Sequence, residues 1–389
     1  MTVCKKCLLT SDYPGIKFDS EGVCQLCRSD DRGFRSSPPS RIREDCRRDF
    51  EETIERIRGK YPYDALLCLS GGKDSAYLAY LLTEQYGLNI LAYNMRPGFG
   101  SNLAGPNISR LVKKLGLSLT TFCWPPGFSR AFYRHLFTHP LREGLTATVC
   151  RVCHLALLSS AIRVAQKEGI PLVLIGYSPL QVTRNWFYEL KKETFMEQYQ
   201  LAGDFREHSV ISPEIKERFY FPGGGEDLSF PRILMPMHVL DYPSEKEVRE
   251  KLQQLGLLDI RRTLTRRTTC DLRWLMAHCD TLHFGEPPFR DWVSEKIRKG
   301  EESRLKYLLA FKLISCLSRL RLLKRGRVRP ALKKLGLTEE EILRCLKEAR
   351  ESEEIFDDIY RINPSRDIIG RTKISEFTTE DTEITEVTE

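Results

Sequence analysis

The stretch "LLCLSGGKDS" at residues 66–75 decides the fold. An apolar run ends there in two glycines, a lysine and two hydroxyl side chains, and the helical pattern "DSAYLAYLLTEQYG" begins within the same stretch. A strand that passes through such a loop into a helix places backbone N–H groups and a helix N-terminus at the carboxyl edge of a sheet. The sequence therefore predicts an anion site, and most simply a polyphosphate site.

Each residue type in this loop suits a phosphate ligand. Gly71 and Gly72 let the backbone approach an anion closely, and Lys73 supplies positive charge. The hydroxyls of Ser70 and Ser75 add hydrogen-bond donors. The spacing is not G-x-x-x-x-G-K-[ST], which disfavours a Walker-type kinase or GTPase.

The chain that follows alternates between short apolar runs and helical patterns. Strands that alternate with helices such as "HLALLSSAIRVAQKEG" predict an α/β fold, a doubly wound parallel sheet with helices on both faces. The further predicted strands are "NILAYNM" at 89–95, "LSLTTFCW" at 117–124, "IPLVLIGYS" at 170–178 and "ILMPM" at 233–237.

Composition bounds the class of protein. The chain has 389 residues, of which 41% are hydrophobic and 29% charged, which is ordinary for a soluble globular protein. No apolar run approaches the roughly 18 residues of a membrane span, and "MTVCKKCLLT" lacks the apolar stretch of a secretory signal. We therefore expect no transmembrane segment and a cytoplasmic protein, whose 13 cysteines serve metal binding or sulfur chemistry rather than disulfides.

Four cysteines near the N-terminus have the spacing of a metal site. Cys4 and Cys7 form one C-x2-C pair, and Cys24 and Cys27 form another after sixteen residues. Four thiolates at this spacing can surround one tetrahedral Zn²⁺, and so short a segment has too little core to fold without it. We predict a structural zinc here.

A second constellation lies in the middle of the chain. Cys150 and Cys153 are followed by His154, and we place them just before a helix, where the helix dipole favours thiolate. With Cys270 they offer three thiolates for a second metal or a [4Fe–4S] cluster with one open iron. A redox pair with Cys270 as a bystander, or as a simply buried cysteine, is the alternative.

Three further residues are candidates by position alone. Tyr177 and Ser178 end the fourth strand, at the edge where α/β sheets bind ligands, and they are candidates for substrate contact. Asn94 ends the second strand and is expected near adenine. His154 could orient a substrate or complete a metal shell, but a structural hydrogen-bonding role is the simpler interpretation.

The stretch "SGGKDS" is similar to the signature of the PP-loop ATP pyrophosphatases. The resemblance implies that this loop holds the pyrophosphate end of ATP, with Lys73 and Asp74 catalytic and Mg²⁺ bridging the phosphates. It implies an adenylation, in which a carbonyl oxygen attacks ATP, pyrophosphate leaves, and a nitrogen or sulfur nucleophile displaces AMP. The loop residues carried over are Ser70, Gly71, Gly72, Lys73, Asp74 and Ser75.

Over roughly residues 1 to 180 the chain resembles the N-acetyl sugar amidotransferases of surface-polysaccharide biosynthesis. The similar segments are "CKKCLLTSDYPGIKFDSEGVCQLC" and "CRVCH" with the chain that follows it. This implies that the acetamido group of a nucleotide-linked sugar is adenylated and that ammonia then displaces AMP. Ammonia would come from a separate glutaminase with a cyclase-like partner, since this chain has no glutaminase nucleophile elbow.

The PP-loop tRNA thiolases provide an alternative resemblance. They combine zinc ribbons, the same loop, a C-x2-C pair and a downstream cysteine, so Cys150, Cys153 and Cys270 would hold their iron–sulfur cluster. Sulfur would then replace oxygen in a pyrimidine of tRNA. This chain departs from them in lacking a second zinc ribbon and in having "IGYSPLQ" where an acidic segment is expected.

Four regions follow from these patterns. A helix near 41–60 follows the first region, and the insertion is expected to form a lid over the carboxyl edge of the sheet. The regions are a zinc-ribbon-like segment at 1–40, a PP-loop domain at 41–243 with an insertion near 186–230, a helical substrate or partner region at 244–350, and an acidic, largely disordered tail at 351–389.

The net charge of +8 is spread unevenly along the chain. Residues 304–335 carry eleven Lys or Arg and no acid, whereas 376–389 carry six acids and no base. The basic stretch could face a nucleotide diphosphate and anionic lipid, or tRNA in a thiolase. We favour the simpler interpretation of a helix whose apolar side lies in the core and whose cations are solvated.

Overall fold

The computed structural model defines most of the chain. It describes residues 2–11, 16–28, 40–100, 104–178, 188–193, 195–196, 213–219, 229–259, 270–322, 326 and 328–351. The acidic tail and most of the 186–230 insertion lie outside the described residues, so the tail's disorder and the lid stay predictions.

A six-stranded, mostly parallel sheet forms the centre, which confirms the predicted fold class. Its strand order is β3-β2-β1-β4-β6-β5, and only β5 runs antiparallel to its neighbour. The strands are β1 (Ala65–Cys68), β2 (Ile90–Arg96), β3 (Ser118–Cys123), β4 (Leu172–Ile175), β5 (Glu189–Leu190) and β6 (Arg232–Leu234).

Helices connect the parallel strands and cover both faces of the sheet, and in the described part of the chain six of them follow β6, so the C-terminal region is helical as predicted. The third helix continues into a π-helix at Leu81–Gln85, and a 3₁₀ turn lies at Pro236–His238. In chain order the helices are α1 (Gln25–Arg28), α2 (Ser40–Ile57), α3 (Lys73–Tyr80), α4 (Ala104–Leu115), α5 (Pro126–Thr138), α6 (Leu145–Lys167), α7 (Pro213–Arg218), α8 (Glu245–Gln254), α9 (Arg273–Phe284), α10 (Arg290–Arg298), α11 (Arg304–Arg319), α12 (Arg329–Leu335) and α13 (Glu339–Glu351).

The central strand β1 divides the core into two layers. Its side chains alternate, so that Leu66 packs into one apolar cluster and Leu67 into the other. The first cluster contains residues of α5, α6, α9, α12 and α13, and the second contains residues of α2, α3, α4 and α8. β1 is buried on both faces, as strands of a covered parallel sheet are. The predicted domain boundaries stay predictions, but the first cluster runs without a break from the sheet into the C-terminal helices.

Helix α6 is long and apolar enough to cross a membrane, judged by length and composition alone. Arg151 and Arg163 interrupt its apolar residues, so it is not an uninterrupted apolar run, and the absence of a transmembrane segment stays a prediction. Half of the most apolar 18-residue segment of α6 is buried inside the protein, where the helix packs against α5, α9, β1 and β4. A core helix meets the same criterion, and the packing of α6 is that of a core helix.

The start of α6 is capped from a distant part of the chain. Asp280 of α9 accepts hydrogen bonds from the backbone N–H groups of Leu145 (2.8 Å) and Thr146 (2.9 Å). These donors have no partner within the helix, and a carboxylate at this end also suits the helix dipole. Gly144 precedes them with φ +99°, a left-handed conformation that glycine adopts without strain. The helix consequently begins well before the two cysteines at 150 and 153.

Candidate active site

The loop at residues 70–75 joins β1 to α3 through a left-handed glycine. Gly71 has φ +76°, and a Cβ at this position would lie 2.8 Å from the carbonyl oxygen of Ala104. Any other residue would therefore meet both backbone strain and a backbone clash. Gly72 is the N-cap residue of α3 and has no side-chain capping partner, so the first N–H groups of α3 are available to a ligand.

Two hydroxyls close the loop into a compact turn. The Oγ atoms of Ser70 and Ser75 lie 3.1 Å apart, and the Ser70 N–H donates to Ser75 Oγ at 3.2 Å. The Gly72 N–H donates to Ser70 Oγ at 3.3 Å. These bonds hold the loop in one shape before any ligand arrives, which lowers the ordering cost of binding.

The loop lies at the topological switch point, where the strand order of the sheet reverses between β1 and β4. β1 pairs with β2 on one side and with β4 on the other, so the chain connections leave this point in opposite directions. Gly176 follows β4, and a Cβ there would lie 2.7 Å from Ser75 Cα. The end of β4 therefore packs directly on the first turn of α3. In open α/β sheets the crevice at such a point is the usual ligand site.

Lys73 and Asp74 lie in a small charged cluster. Lys73 Nζ lies 2.8 and 2.7 Å from the two carboxylate oxygens of Asp74, and 3.6 Å from Glu245 Oε1. Tyr242 donates its hydroxyl hydrogen to Asp74 Oδ1 at 2.5 Å. The predicted catalytic lysine thus has two carboxylates beside it, and one belongs to the C-terminal helical region.

Glu245 connects this cluster to α10. Its carboxylate pairs with Arg249 at 2.7 Å and with Lys296 at 2.5 Å, in addition to Lys73. Burial alone would raise the pKa of Glu245, but Lys73, Lys296 and Arg249 together lower it to about 2. The carboxylate is therefore ionised throughout the neutral range and balances the charge of Lys73.

Sequence reasoning missed Tyr242, Glu245 and Lys296. One local feature could have found part of this set, because Ser244 and Glu247 form a capping box that marks the start of α8. That pattern places Glu245 in the first turn of a helix. It does not show that this turn packs against a loop far away in the chain.

The four N-terminal cysteines converge as predicted. Their Sγ atoms all lie within 4.8 Å of one another, and those of Cys7 and Cys24 are 3.7 Å apart. Zinc bound to four sulfurs at about 2.3 Å would set them about 3.8 Å apart in a tetrahedron, so the spacing fits. Three backbone N–H groups, of Lys6, Cys7 and Cys24, point at Cys4 Sγ from 3.3–3.4 Å, and hydrogen bonds of this kind stabilise thiolate ligands.

The pKa shifts within this tetracysteine site differ in direction. Hydrogen bonds from Cys24 and Cys27 lower the pKa of Cys7 to about 2, whereas hydrogen bonding to the other cysteines and burial raise the pKa of Cys24 to about 12 and also raise that of Cys27. Among the described residues, these four cysteines are the one group of three or more His, Cys, Asp and Glu whose ligand atoms converge in this way. The donor set fits zinc or an iron–sulfur cluster.

The N-terminal segment is attached to the C-terminal helices by its backbone. The Leu8 N–H donates to Ser294 Oγ at 3.1 Å, and Arg290 donates to the Leu8 carbonyl at 3.0 Å. Arg304 donates to the carbonyls of Cys4 and Cys7, each at 2.9 Å. The metal-binding turn is therefore fixed to α10 and α11, although the two parts lie almost 300 residues apart in the chain.

The prediction that Cys150 and Cys153 precede a helix was wrong. They lie in the second and third turns of α6, which begins at Leu145, and the effect of the helix dipole fades beyond the first turn. Crowding by protein atoms raises the pKa of Cys150 to about 12 and that of Cys153 to about 11. Both are thiols at neutral pH unless a bound cation stabilises the thiolate.

Cys270 lies in the same part of the structure as Cys150 and Cys153. It pairs with Gly100 in a β-bridge, and the Asp271 N–H donates to the Phe99 carbonyl at 2.9 Å, just beyond the end of β2. Cys270 and Cys153 both contribute to the raised pKa of Cys150, and the Tyr133 hydroxyl lies 3.2 Å from Cys153 Sγ. The three cysteines share a region at the carboxyl side of the sheet without forming a second converged ligand set among the described residues.

The remaining candidates take part in hydrogen bonds within the protein. Tyr177 is hydrogen-bonded to His154 Nε2, and burial lowers the pKa of His154 to about 4, so the imidazole is neutral and can accept from the hydroxyl. Asn94 is buried and donates to the Leu69 carbonyl at 2.8 Å, which holds β2 beside the start of the loop. Ser178 is also buried. Contact of these residues with substrate or adenine stays a prediction.

Comparisons with known proteins give a limited picture. No family model matches the chain. An uncharacterized protein of Methanocaldococcus jannaschii is 25% identical over 178 residues, which are 45% of this chain and 58% of that protein. This chain therefore spans less than two thirds of the length of that relative.

Three solved structures are similar to the chain at low identity and low TM-score. They are the U34-tRNA thiolase NcsA of Methanococcus maripaludis with its [4Fe–4S] cluster (16% identity, TM-score 0.31, 84% of this chain and 89% of that chain), NMN synthetase of Francisella tularensis (14%, 0.32, 71% and 94%), and NH3-dependent NAD synthetase of Campylobacter jejuni with a nitrate ion (19%, 0.28, 46% and 78%). At these scores the likenesses carry no argument about activity.

Replacement of Glu245 by Gln should destabilise the protein in a pH-dependent manner. The depressed pKa means that the wild-type carboxylate contributes stability above its ordinary value of 4.5 and loses this contribution as the pH falls toward about 2. Urea unfolding should show that the free energy of unfolding is lower for the variant than for the wild type, by an amount that is constant near neutrality and shrinks below about pH 4.5. The exposed Glu250→Gln serves as the control and should have little effect at any pH. A difference for Glu245→Gln that grows on acidification would contradict the ion network.

Replacement of Cys24 by Ser should remove the metal and loosen the segment attached to it. Wild-type protein is expected to carry about one zinc per chain, measured by mass spectrometry of the metal, and the variant well under half of that. The thermal midpoint should fall, because metal binding in such segments is coupled to their folding. Cys345→Ser on α13 is the matched control, and equal zinc content in all three proteins would refute the site.

Proposed function

We propose that this chain is an ATP-dependent enzyme that adenylates a carbonyl oxygen of its acceptor and releases pyrophosphate. The observation that carries the proposal is the 70–75 loop, a pre-formed turn of glycines, hydroxyls and one lysine at the point where the sheet changes direction. Its similarity to the PP-loop signature gives the ligand as ATP rather than another phosphate compound.

The loop residues have distinct roles in this proposal. The N–H groups at the start of α3 and the hydroxyls of Ser70 and Ser75 bind the β- and γ-phosphates. Lys73 pairs with Asp74 and Glu245. When ATP binds, its phosphates replace these carboxylates as partners of the Lys73 ammonium group, which neutralises part of the phosphate charge. Magnesium that enters with ATP supplies further charge neutralisation.

The reaction consists of two displacements. The acceptor carbonyl oxygen attacks the α-phosphorus, the bond from the α-phosphorus to the bridging oxygen breaks, and pyrophosphate leaves with that electron pair. A nitrogen or sulfur nucleophile then adds to the activated carbon, and AMP leaves. Lys73 acts on the first step, because charge develops on the pyrophosphate that it contacts.

For the nucleophile and acceptor we propose ammonia and the acetamido group of a nucleotide-linked N-acetyl sugar. The resemblance of the N-terminal segment and of "CRVCH" to the N-acetyl sugar amidotransferases supports this choice. The product would be an acetamidino sugar for a surface polysaccharide, made in the cytoplasm. A separate glutaminase with a cyclase-like subunit would supply the ammonia.

Sulfur insertion into a tRNA pyrimidine is the second candidate. It is favoured by one specific observation, the meeting of Cys150, Cys153 and Cys270 in one region on the carboxyl side of the sheet. Those three residues would hold a [4Fe–4S] cluster, which would stabilise the thiolate forms of thiols whose pKa values are raised in its absence. Tyr133 beside Cys153 would then donate a hydrogen bond to a ligand sulfur.

Replacement of Lys73 by Ala should reduce pyrophosphate release by at least ~100-fold, because a cation at the leaving group is lost. Release is measured with a coupled phosphate assay in the presence of the acceptor, or as exchange of labelled pyrophosphate into ATP when the acceptor is unknown. Lys113→Ala on α4 removes a lysine of equal charge from an exposed position and should leave the rate unchanged. Unchanged turnover in Lys73→Ala would remove the proposal.

An experiment on Cys150 and Cys153 distinguishes the two proposed acceptors. Protein purified without oxygen is analysed for iron, acid-labile sulfide and visible absorbance, together with Cys150→Ala/Cys153→Ala. The amidotransferase proposal expects zinc alone, and turnover with ammonia and a nucleotide-linked N-acetyl sugar. Iron and sulfide that disappear in the double variant, with sulfur transfer to tRNA, would establish the second candidate instead.

A further inference from the structure

Helix α11 exposes an unusual amount of apolar surface. Leu305, Leu309 and Leu313 are 64%, 57% and 57% exposed, and Leu320 and Leu322 directly after the helix are 63% and 55% exposed. These are five of the eight strongly exposed large apolar side chains among the described residues. The interpretation that the apolar side of this stretch lies in the core was therefore wrong for these five leucines. Clustered exposed leucines of this kind mark a docking surface.

The leucines form one stripe with cations on both sides. At about 100° per residue, Leu305, Leu309 and Leu313 fall within an arc of about 80° on the helix surface, and the exposed Cys316 falls inside it. The exposed Lys312 and Arg319 lie along one edge of this arc by the same geometry. Lys306, which pairs with Glu302 at 2.6 Å, lies along the other edge.

The opposite side of α11 is packed against the protein. Phe311 is buried with Leu8 and Val293, and Tyr307 and Leu308 pack against the same cluster. Ser318 is fully buried. Arg304 at the start of the helix is hydrogen-bonded to the backbone of the tetracysteine turn. The helix is thus held in one orientation, and the leucines cannot turn inward without breaking this packing.

We propose that α11 docks this leucine stripe on the surface of a bilayer that carries anionic headgroups. Helices that lie in a membrane interface combine these same features, an apolar stripe with Lys and Arg along its edges. Leucines enter the boundary between headgroups and acyl chains, while the longer cationic side chains reach back to the phosphates. The surface potential of anionic lipids attracts the basic stretch within about one Debye length, roughly 8 Å.

Charge argues against the other occupants of this face. Residues 304–335 carry eleven cations and no acid, so two copies of the chain would repel each other there. Nucleic acid could pair its phosphates with the cations. The five exposed leucines would make no favourable contact with it, because proteins bind RNA through its phosphates and by stacking aromatic rings on its bases. Lys312 and Arg319 have no ion-pair partner among the described residues, so their charge is available to a headgroup.

The inference does not depend on the proposed function. It uses residues outside the 70–75 loop and the cysteine sites, and an enzyme with either acceptor could be held at a membrane surface. Pyrophosphate release in solution and vesicle binding are separate measurements, so either proposal can fail while the other survives.

The test is sedimentation of the full chain with lipid vesicles. Phosphatidylcholine vesicles are compared with vesicles in which about 40% of the lipid is phosphatidylglycerol, at low and at high salt. Two variants separate the contributions: Leu309→Glu alters the stripe, and Lys312→Glu/Arg319→Glu alters its edge. Leu119→Glu on β3 and Arg110→Glu/Lys113→Glu on α4 make the same changes at other exposed positions.

The wild type should bind the anionic vesicles at least ~10-fold more strongly than the neutral ones, and high salt should weaken the binding. Leu309→Glu and Lys312→Glu/Arg319→Glu should each reduce binding by about tenfold or more, whereas both controls should bind like the wild type. Circular dichroism and thermal melting confirm that each variant is folded.

Three results would overturn the proposal. One is the absence of wild-type binding to anionic vesicles. A second is binding that survives Leu309→Glu, which would reduce the effect to non-specific charge attraction. The third is an alternative occupant of the face: tRNA binding that needs Lys312 and Arg319 but not Leu309, or a dimer in solution that Leu309→Glu dissociates.

Discussion

The close packing of Gly176 against the backbone of Ser75 is the constraint on which the rest of the structure depends. A Cβ at Gly176 would lie 2.7 Å from Ser75 Cα, so only glycine lets the end of β4 reach the first turn of α3. This contact seats the helix N-terminus in the crevice between β1 and β4, where the strand order reverses. With Gly71 in a left-handed conformation and the Ser70–Ser75 hydroxyl pair, it fixes a turn that leads directly into the N-terminus of α3. This turn lies both at the point where the strand order reverses and beside the charged side chains of Lys73, Asp74 and Glu245. A ligand bound to the turn would therefore contact these charged groups.

A chain of contacts connects the metal-binding segment to that turn. The tetracysteine backbone is bound by Arg304 of α11 and, through Leu8, by Ser294 of α10. Lys296 lies two residues after Ser294 on α10, its ammonium group pairs with Glu245, and Glu245 faces Lys73. A metal held by the four cysteines would be architectural, because it would stabilise a small segment that is bonded to α10, the helix that carries Lys296. The same segment fixes the orientation of α11 and so exposes its leucines.

Local patterns were sufficient for the parts of the fold that depend on neighbouring residues. The β1 loop, the four cysteines near the N-terminus and strands β2, β3, β4 and β6 were predicted to within a few residues, since each depends on short spacings or on apolar runs. Strand β5 was missed, because it lies in the stretch predicted to be an insertion. The start of α6 was misplaced because its cap, Asp280, lies 135 residues further along the chain than Leu145. Tyr242 was missed for the same reason, since it lies 168 residues from Asp74. The exposure of the α11 leucines depends on which side of the helix the N-terminal segment occupies, and periodicity does not contain that information.

The most direct test of the central claim is hydrogen–deuterium exchange of the backbone amides at residues 70–76, with and without ATP and magnesium. The account predicts that saturating nucleotide slows exchange in this segment, because the N–H groups at the start of α3 become donors to phosphate oxygens, and that Lys73→Ala abolishes the protection. Unchanged exchange in this segment at saturating ATP, or protection that appears only elsewhere in the chain, would contradict the account.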